Sequence, residues 1–235
     1  MATYFLSDLH LPPEVSPLRQ HFLSFVEGRA RGAEGVYLLG DLFEYWIGDD
    51  VGMQVYAPEV AALAALTACG VPVYFQHGNR DFLVGRDFSS LTGVAILDDP
   101  AVVDLYGVRT LVSHGDMLCT DDVAYQRWRR FSRLKPAQWI FHRLPVSRRE
   151  RIAGGLRSGS DRAKANKPEN IMDANADAVA AAFAHYRVPR MIHGHTHRPD
   201  EHRIGDKVRI VLADWRPERC EVLEVDAEGF RRVAV

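Results

Sequence analysis

Thiols are scarce in this 235-residue chain. The three cysteines, Cys69, Cys119 and Cys220, lie far apart and form no CxxC pair, which argues against a disulfide framework and a thiolate zinc site. They read as buried thiols of a reducing compartment. Long apolar runs are missing as well: none approaches the roughly 20 residues that span a bilayer. The segment Met1–Asp8 has neither the basic start nor the long apolar stretch of a signal peptide, so a cytoplasmic protein is expected. No sign of charge dominates: 29 basic and 31 acidic residues leave a net −2, and no global field announces nucleic acid. Repeats and low-complexity tracts are also absent. Apolar residues at 47% and charged ones at 26% instead match a globular chain. Its length allows one large domain, or one carrying an insertion.

Short apolar runs are what the sequence does have, and they alternate with helical patterns. Thr3–Ser7, Val36–Leu39, Val71–Gln76, Thr110–Ser113, Arg190–Ile192 and Arg209–Ala213 read as buried strands. Ser16-Pro17 opens a helix whose apolar face is Leu18, Phe22, Phe25 and Val26. A second helix covers about Pro58–Cys69, and a third carries Val179, Ala182, Phe183 and Tyr186. Val208–Ala213, Glu221–Val225 and Phe230–Val233 read as a β-meander. Strands that first alternate with helices and later run consecutively predict a layered α/β core.

The stretch 127–167 breaks this pattern. It holds thirteen Lys/Arg against two acids, Glu150 and Asp161. Trp128, Phe131, Leu134, Trp139, Ile140, Phe141, Leu144, Ile152 and Leu156 are interleaved at helical intervals, interrupted by Pro136 and Pro145. Ser147-Arg-Arg-Glu150 has the form of a capping box. We read an inserted helical cap, about residues 121–168 of a single domain spanning 1–235. Trp128, Phe131 and Ile140 serve either the cap's function or its packing on the body.

Five polar clusters each follow an apolar run: Asp8-Leu-His10, Gly40-Asp41, Gly78-Asn79-Arg80-Asp81, His114-Gly115-Asp116 and Gly194-His195-Thr196-His197. Ligands gather beyond the carboxyl ends of parallel strands, so these clusters can converge. In Asp8-x-His10 and His195-x-His197, a spacing of two turns both side chains the same way in extended backbone. Carboxylate, carboxamide and imidazole without thiolate suit two divalent ions such as Mn²⁺, or Fe²⁺, Co²⁺ or Ni²⁺. Asp41 can bridge, with Asp8, His10 and His197 completing one site and Asn79, His114 and His195 the other. Such a pair holds phosphoryl oxygens and generates a hydroxide for in-line attack. Asp81 and Asp116 are expected to orient ligands rather than bind.

The order Asp-x-His, Gly-Asp, Gly-Asn-Arg, His-Gly-Asp, Gly-His-x-His resembles the calcineurin-like metallophosphoesterase superfamily over nearly the whole chain, the cap excepted. The resemblance implies a four-layer α/β/β/α sandwich around a dinuclear metal site. Within that superfamily, Leu39-Gly-Asp-Leu-Phe-Glu44-Tyr-Trp46-Ile-Gly-Asp49-Asp50, His77-Gly-Asn79-Arg80-Asp81 and Ile192-His-Gly-His-Thr-His-Arg198-Pro199 resemble the UDP-2,3-diacylglucosamine pyrophosphohydrolase family of lipid A biosynthesis. The implied reaction gives UMP and 2,3-diacylglucosamine 1-phosphate, and our own expectation is attack of metal-held hydroxide on the α-phosphorus. The resemblance also implies two Mn²⁺ per chain and substrate contacts from Asn79, Arg80, Asp122, Ser160, Lys164, Lys167 and His195, with catalytic roles for Arg80, Asn79 and His195. Glu44, Trp46, Asp49 and Asp50 serve either the site or their own loop.

The chemistry agrees with that branch. An arginine at position 80 stays charged and cannot act as an acid, yet it offers a fixed fork to phosphate oxygens. A diphosphate releases a phosphate monoester whose second pKa near 6 makes it a good leaving group without an acid. The basic, apolar cap suits an acylated UDP-sugar. The same surface could rest on the anionic cytoplasmic face of an inner membrane. We expect a monomer without nucleic acid as a partner. The rivals are a generic metallophosphodiesterase or nuclease, and a non-catalytic binding scaffold, which the intact ligand set disfavours.

Overall fold

Strand β1 (Thr3–Leu6) is buried along its whole length, as expected of an apolar run inside a sheet covered on both faces. It runs parallel to β2 (Gly35–Leu39), which runs parallel to β3 (Val73–Gln76), with short β4 (Ala95–Ile96) beyond. On its other edge β1 pairs antiparallel with β10 (Glu221–Asp226), followed by β11 (Gly229–Ala234), giving the order β11-β10-β1-β2-β3-β4. A second sheet has the order β5-β6-β7-β9-β8. It is built from β5 (Ala101–Leu105), β6 (Val108–Ser113), β7 (Arg190–His193), β8 (Asp200–Ile204) and β9 (Lys207–Val211). The computed structural model describes residues 1–166 and 173–235, the side chains of 157–166 excepted.

The two sheets face each other across Phe5, Tyr37, Leu39, Val112, Ile192 and Ile210. Helices α1 (Pro17–Glu27), α2 (Asp49–Val55), α3 (Ala57–Ala68) and α4 (Arg86–Thr92) cover the outer face of the first sheet. Helix α1 starts where its sequence says: Ser16 Oγ accepts from Arg19 N, Pro17 takes the first turn, and Phe22, Phe25 and Val26 are buried. Helix α8 (Ala176–Tyr186) covers the second sheet through Val179, Ala182 and Phe183. The layering is α/β/β/α, as expected.

Several expectations need correction. The three late strands are not one meander: β9 joins the second sheet and only β10 and β11 form a hairpin, in the first. The segment between them, through Asp214 and Trp215, crosses from one sheet to the other. Pro136 stands in the first turn of α6 (Lys135–His142), and Pro145 immediately precedes α7 (Val146–Asn166), so both prolines start helices rather than interrupt one. Helix α7 begins one residue before Ser147, the expected cap. Only Cys119 is a buried thiol; Cys69 is exposed and Cys220 partly so. Among the described residues no single helix is long and apolar enough to cross a membrane.

Helices α5 (Val123–Ser132), α6 and α7 stand over the carboxyl ends of the strands, tied down at two places. Arg129 of α5 and Arg133 just after it reach Asp116, at 2.8 and 3.1 Å, and Asp99, at 3.2 and 3.3 Å. The buried Arg149 of α7 donates to Ile47 O at 2.7 Å and pairs with Asp50. Trp128, Phe131 and Ile140, unresolved between function and packing in the sequence, stay substantially exposed.

Candidate metal centre

All seven expected ligands meet at one end of the sandwich, supplied by the loops after β1, β2, β3, β6 and β7. The convergence is not achieved by extended backbone. Asp8, His10, Asp41, His195 and His197 all have left-handed φ, between 46° and 70°. Aspartate and histidine tolerate that region better than most residues, and strained single residues of this kind gather at functional sites. The side chains of each x-separated pair therefore converge through tight turns. Two neighbouring glycines leave room for this crossing. A Cβ on Gly78 would lie 2.1 Å from Asp41 Oδ1, and one on Gly194 would lie 2.3 Å from Asp8 Oδ2.

Two groups of possible donors are close enough to share an ion: Asp8, His10 and His197, and Asp8, Asp41 and His114, each with ligand atoms within 4.8 Å of one another. Asp41 lies between the halves. Its Oδ2 is 3.9 Å from His10 Nε2 and its Oδ1 3.9 Å from His114 Nε2. His114 Nε2 is 3.2 Å from Asn79 Oδ1 and 3.1 Å from His195 Nδ1, while His10 Nε2 and His197 Nε2 are 3.4 Å apart. Imidazole nitrogens facing one another at such distances make a donor set that suits cations. Asp8 Oδ1 is buried with His197 Nε2 3.3 Å away but no well-aligned hydrogen bond, a position that a cation shared by the two would satisfy.

Electrostatics point the same way. Burial opposes charge on His114, yet Asp41, Asp8, Asp116 and Asp99 outweigh it and raise its pKa to about 9. The site is thus negative enough to hold a proton deep inside, a place a divalent ion can take. Burial and the neighbouring His114 push His195 down to about 3, leaving a neutral ring with a free lone pair. For Asp8 burial opposes ionisation, but contact with His197 and the charge of His114 hold its pKa well below the usual range.

The calcineurin-like phosphoesterase profile matches residues 1–199. The chain belongs to that family. Its curated relatives include proteins named UDP-2,3-diacylglucosamine hydrolase from Haemophilus ducreyi (44% identical over 230 residues, 98% of each chain) and an Enterobacter species (45% over 237 residues, 99% and 98%). Another with that name, from Neisseria meningitidis, is 43% identical over 96% of this chain and 95% of its own. A solved archaeal phosphodiesterase has a TM-score of 0.51 over the full length of both chains at 14% identity, a likeness of fold. Family membership implies divalent metal binding, and the donors above fit it.

Beside the ligands, Arg80 points its guanidinium at Glu44 (3.0 Å), and its backbone N–H donates to Asp41 Oδ1 at 2.8 Å. Asp81 is buried and accepts N–H bonds from Asp41, Leu42, Phe43 and Gly78, so it shapes the Asp41 turn from behind. Asp122 caps α5 by accepting from Tyr125 N and lines the large cavity described below. Lys167 lies outside the described residues, as do the side chains of Ser160 and Lys164. In the Phe43–Asp50 string, Trp46 packs with Phe43, Tyr56 and Phe88, while Asp49 accepts from the N–H groups of Gly85, Asp87 and Phe88 at the start of α4. Asp50 holds Arg149. Asp49 and Asp50 are thus engaged in structure, while Trp46 also lines the cavity beside Glu44, which faces the site.

Sequence reasoning missed two neighbours. Tyr125 stacks on His195, 5.8 Å between ring centres, and donates to Asp116 Oδ2 at 2.7 Å. Asp214 lies 3.8 Å from His197 Nδ1. A signal for Asp214 was available, since it ends an apolar run as the other clusters do; nothing in the sequence marks Tyr125. From the metal centre a cavity of about 970 Å³ extends beneath α5–α7. Its walls include Phe82, Trp128, Phe131, Phe141, Ile152 and Leu156.

Proposed function

We propose that the chain hydrolyses the pyrophosphate bond of UDP-2,3-diacylglucosamine, releasing UMP and 2,3-diacylglucosamine 1-phosphate, with two Mn²⁺ held by Asp8, His10, Asp41, Asn79, His114, His195 and His197. The observation that carries this reading is the continuity of a polar, cation-seeking centre with a large apolar chamber. A phosphodiester without acyl chains has no use for such a chamber, whereas a diphosphate joined to a diacylated sugar needs both halves. The names of the curated relatives support the same substrate.

Bound divalent ions would supply positive charge to the phosphoryl oxygens and lower the pKa of the attacking water. The protein's own groups do the rest. Arg80 presents a fixed, permanently charged fork to the oxygens of the diphosphate, and no acid is needed because the leaving phosphate monoester is stable as an anion. Asn79 sets the position of the phosphoryl group through its carboxamide, and His195 keeps its ring neutral and its lone pair available. Asp122, which lines the cavity at the start of α5, would contact the sugar head, and the family resemblance adds Ser160, Lys164 and Lys167 of the cap (about 121–168) to that set.

Leu134, Trp139 and Ile140 are more than half exposed, on a stretch flanked by Arg130, Arg133, Lys135 and Arg143. Each cation near an anionic leaflet contributes about 1 kcal/mol before screening. This supports a chain resting peripherally on the cytoplasmic face of the inner membrane, with lipid rather than nucleic acid as its partner. The test is UMP release from UDP-2,3-diacylglucosamine with added Mn²⁺, beside His10→Ala and Arg80→Ala. Turnover that needs Mn²⁺ and is lost in both variants is expected. Rapid hydrolysis of a generic diester without any UMP release would overturn the substrate while keeping the metal centre.

A further inference from the structure

We propose that Glu44 is a positioning residue whose two carboxylate oxygens couple the metal centre to Arg80. The inference rests on the proposed reaction for the role of Arg80, and on the geometry alone for the tie to the metal ligand. Glu44 is fixed by its backbone: its N–H donates to Leu11 O at 3.0 Å, and the adjacent Phe43 bridges Leu11. Its side chain is 12% exposed. Oε1 accepts from the Arg80 guanidinium at 3.0 Å, while Oε2 lies 3.7 Å from His10 Nδ1. The other nitrogen of His10, Nε2, faces Asp41 and His197.

An imidazole that gives one nitrogen to a metal presents the other as an N–H donor. A carboxylate opposite that N–H fixes the tautomer and strengthens the ligand. His10 Nδ1 is buried and makes no hydrogen bond, and Glu44 Oε2 stands within a few tenths of an ångström of supplying one. The same carboxylate holds Arg80, whose loop is braced by Arg80 N donating to Asp41 Oδ1 and Trp46 N donating to Arg80 O at 3.1 Å. One side chain thus sets the distance between the cation that meets the phosphoryl oxygens and the ligand that holds the ion. The other acids of the string are committed elsewhere, Asp49 to α4 and Asp50 to Arg149.

The experiment uses Glu44→Gln, which keeps an oxygen for Arg80 and removes the charge facing His10, beside Arg80→Met and the double variant. Mn²⁺ is titrated calorimetrically into metal-stripped protein, and kcat and KM are measured for UMP release. Expected for Glu44→Gln is a Mn²⁺ Kd about tenfold or more weaker, the range seen when a partner of a metal-bound histidine is lost. The unfolding midpoint of the stripped protein stays that of wild type, and the loss falls in kcat rather than KM. Arg80→Met keeps its Mn²⁺ affinity, and the double variant loses less activity than the product of the two single losses. Glu44→Asp, which keeps the charge, recovers part of the Mn²⁺ affinity; this comparison serves if Glu44→Gln does not fold. Unchanged Mn²⁺ affinity in Glu44→Gln, or single losses that multiply, overturns the coupling. Weakened Mn²⁺ binding in a protein whose wild type releases no UMP supports the tie to His10 and overturns the substrate reading alone.

Discussion

His193 shows how much of the centre depends on single rings that bind nothing. It is wholly buried, donates Nδ1–H to Gly194 O at 2.9 Å, and has Arg209 3.4 Å from Nε2. Burial pushes its pKa down to about 4. Between that value and the unfolded value of about 6.5, the unfolded chain binds the extra proton. Stability from this group is complete above pH 6.5 and lost as pH falls toward 4, by on the order of 3 kcal/mol. Urea unfolding of metal-stripped protein at pH 7, 5.5 and 4.5 should show a fall that is shallower in His193→Gln; equal slopes would remove His193 as its source. At this scale the sequence was informative about ligand identity, because each of the seven stands at the end of an apolar run beside glycine or a second donor. It was silent about backbone conformation. The pairs Asp8/His10 and His195/His197 look extended by spacing, whereas in the structure they sit in left-handed turns, with Gly194 packed closely on Asp8.

Among the elements, α7 is anchored near its start by Arg149, the buried side chain among its described ones. Arg149 is 3% exposed and satisfies the carbonyl of Ile47 as well as pairing with Asp50. Arg149→Met leaves that carbonyl without its donor and releases the helix start from the body, while touching neither sheet. Amide exchange over Val146–Ile152 should accelerate about tenfold or more with β1–β3 unchanged, as expected of a locally opening unit. Uniform acceleration across the chain would instead mean that α7 and the sandwich unfold together. The helices around Trp128 and Trp139 were legible from their periodicity and charge. The assignment of β9 to one sheet and β10 to the other was not, because alternating apolar residues look alike whichever partner they bury against.

For the whole molecule, the seven ligands come from both sheets: β1, β2 and β3 of one, β6 and β7 of the other. An ion bound among them joins the two halves of the sandwich and binds only the folded state. At a hundredfold excess over its Kd, Mn²⁺ should add about 2.7 kcal/mol to unfolding, seen as a concentration-dependent rise in Tm that His10→Ala diminishes. A Tm indifferent to Mn²⁺ would contradict the arrangement. Strand β1 leads into the loop that carries the first two of these ligands and is gripped unequally. Its partner β2 follows closely in the chain, but its other edge waits for β10, where Thr3 lies opposite Val225, and Trp215 N closes on Asp8 O at 3.0 Å. Contacts so distant along the chain form late and slowly during folding. The earliest-encoded ligands, Asp8 and His10, are therefore among the last to be locked, and a chain interrupted before β10 would hold every metal-binding side chain yet leave one flank of the site open.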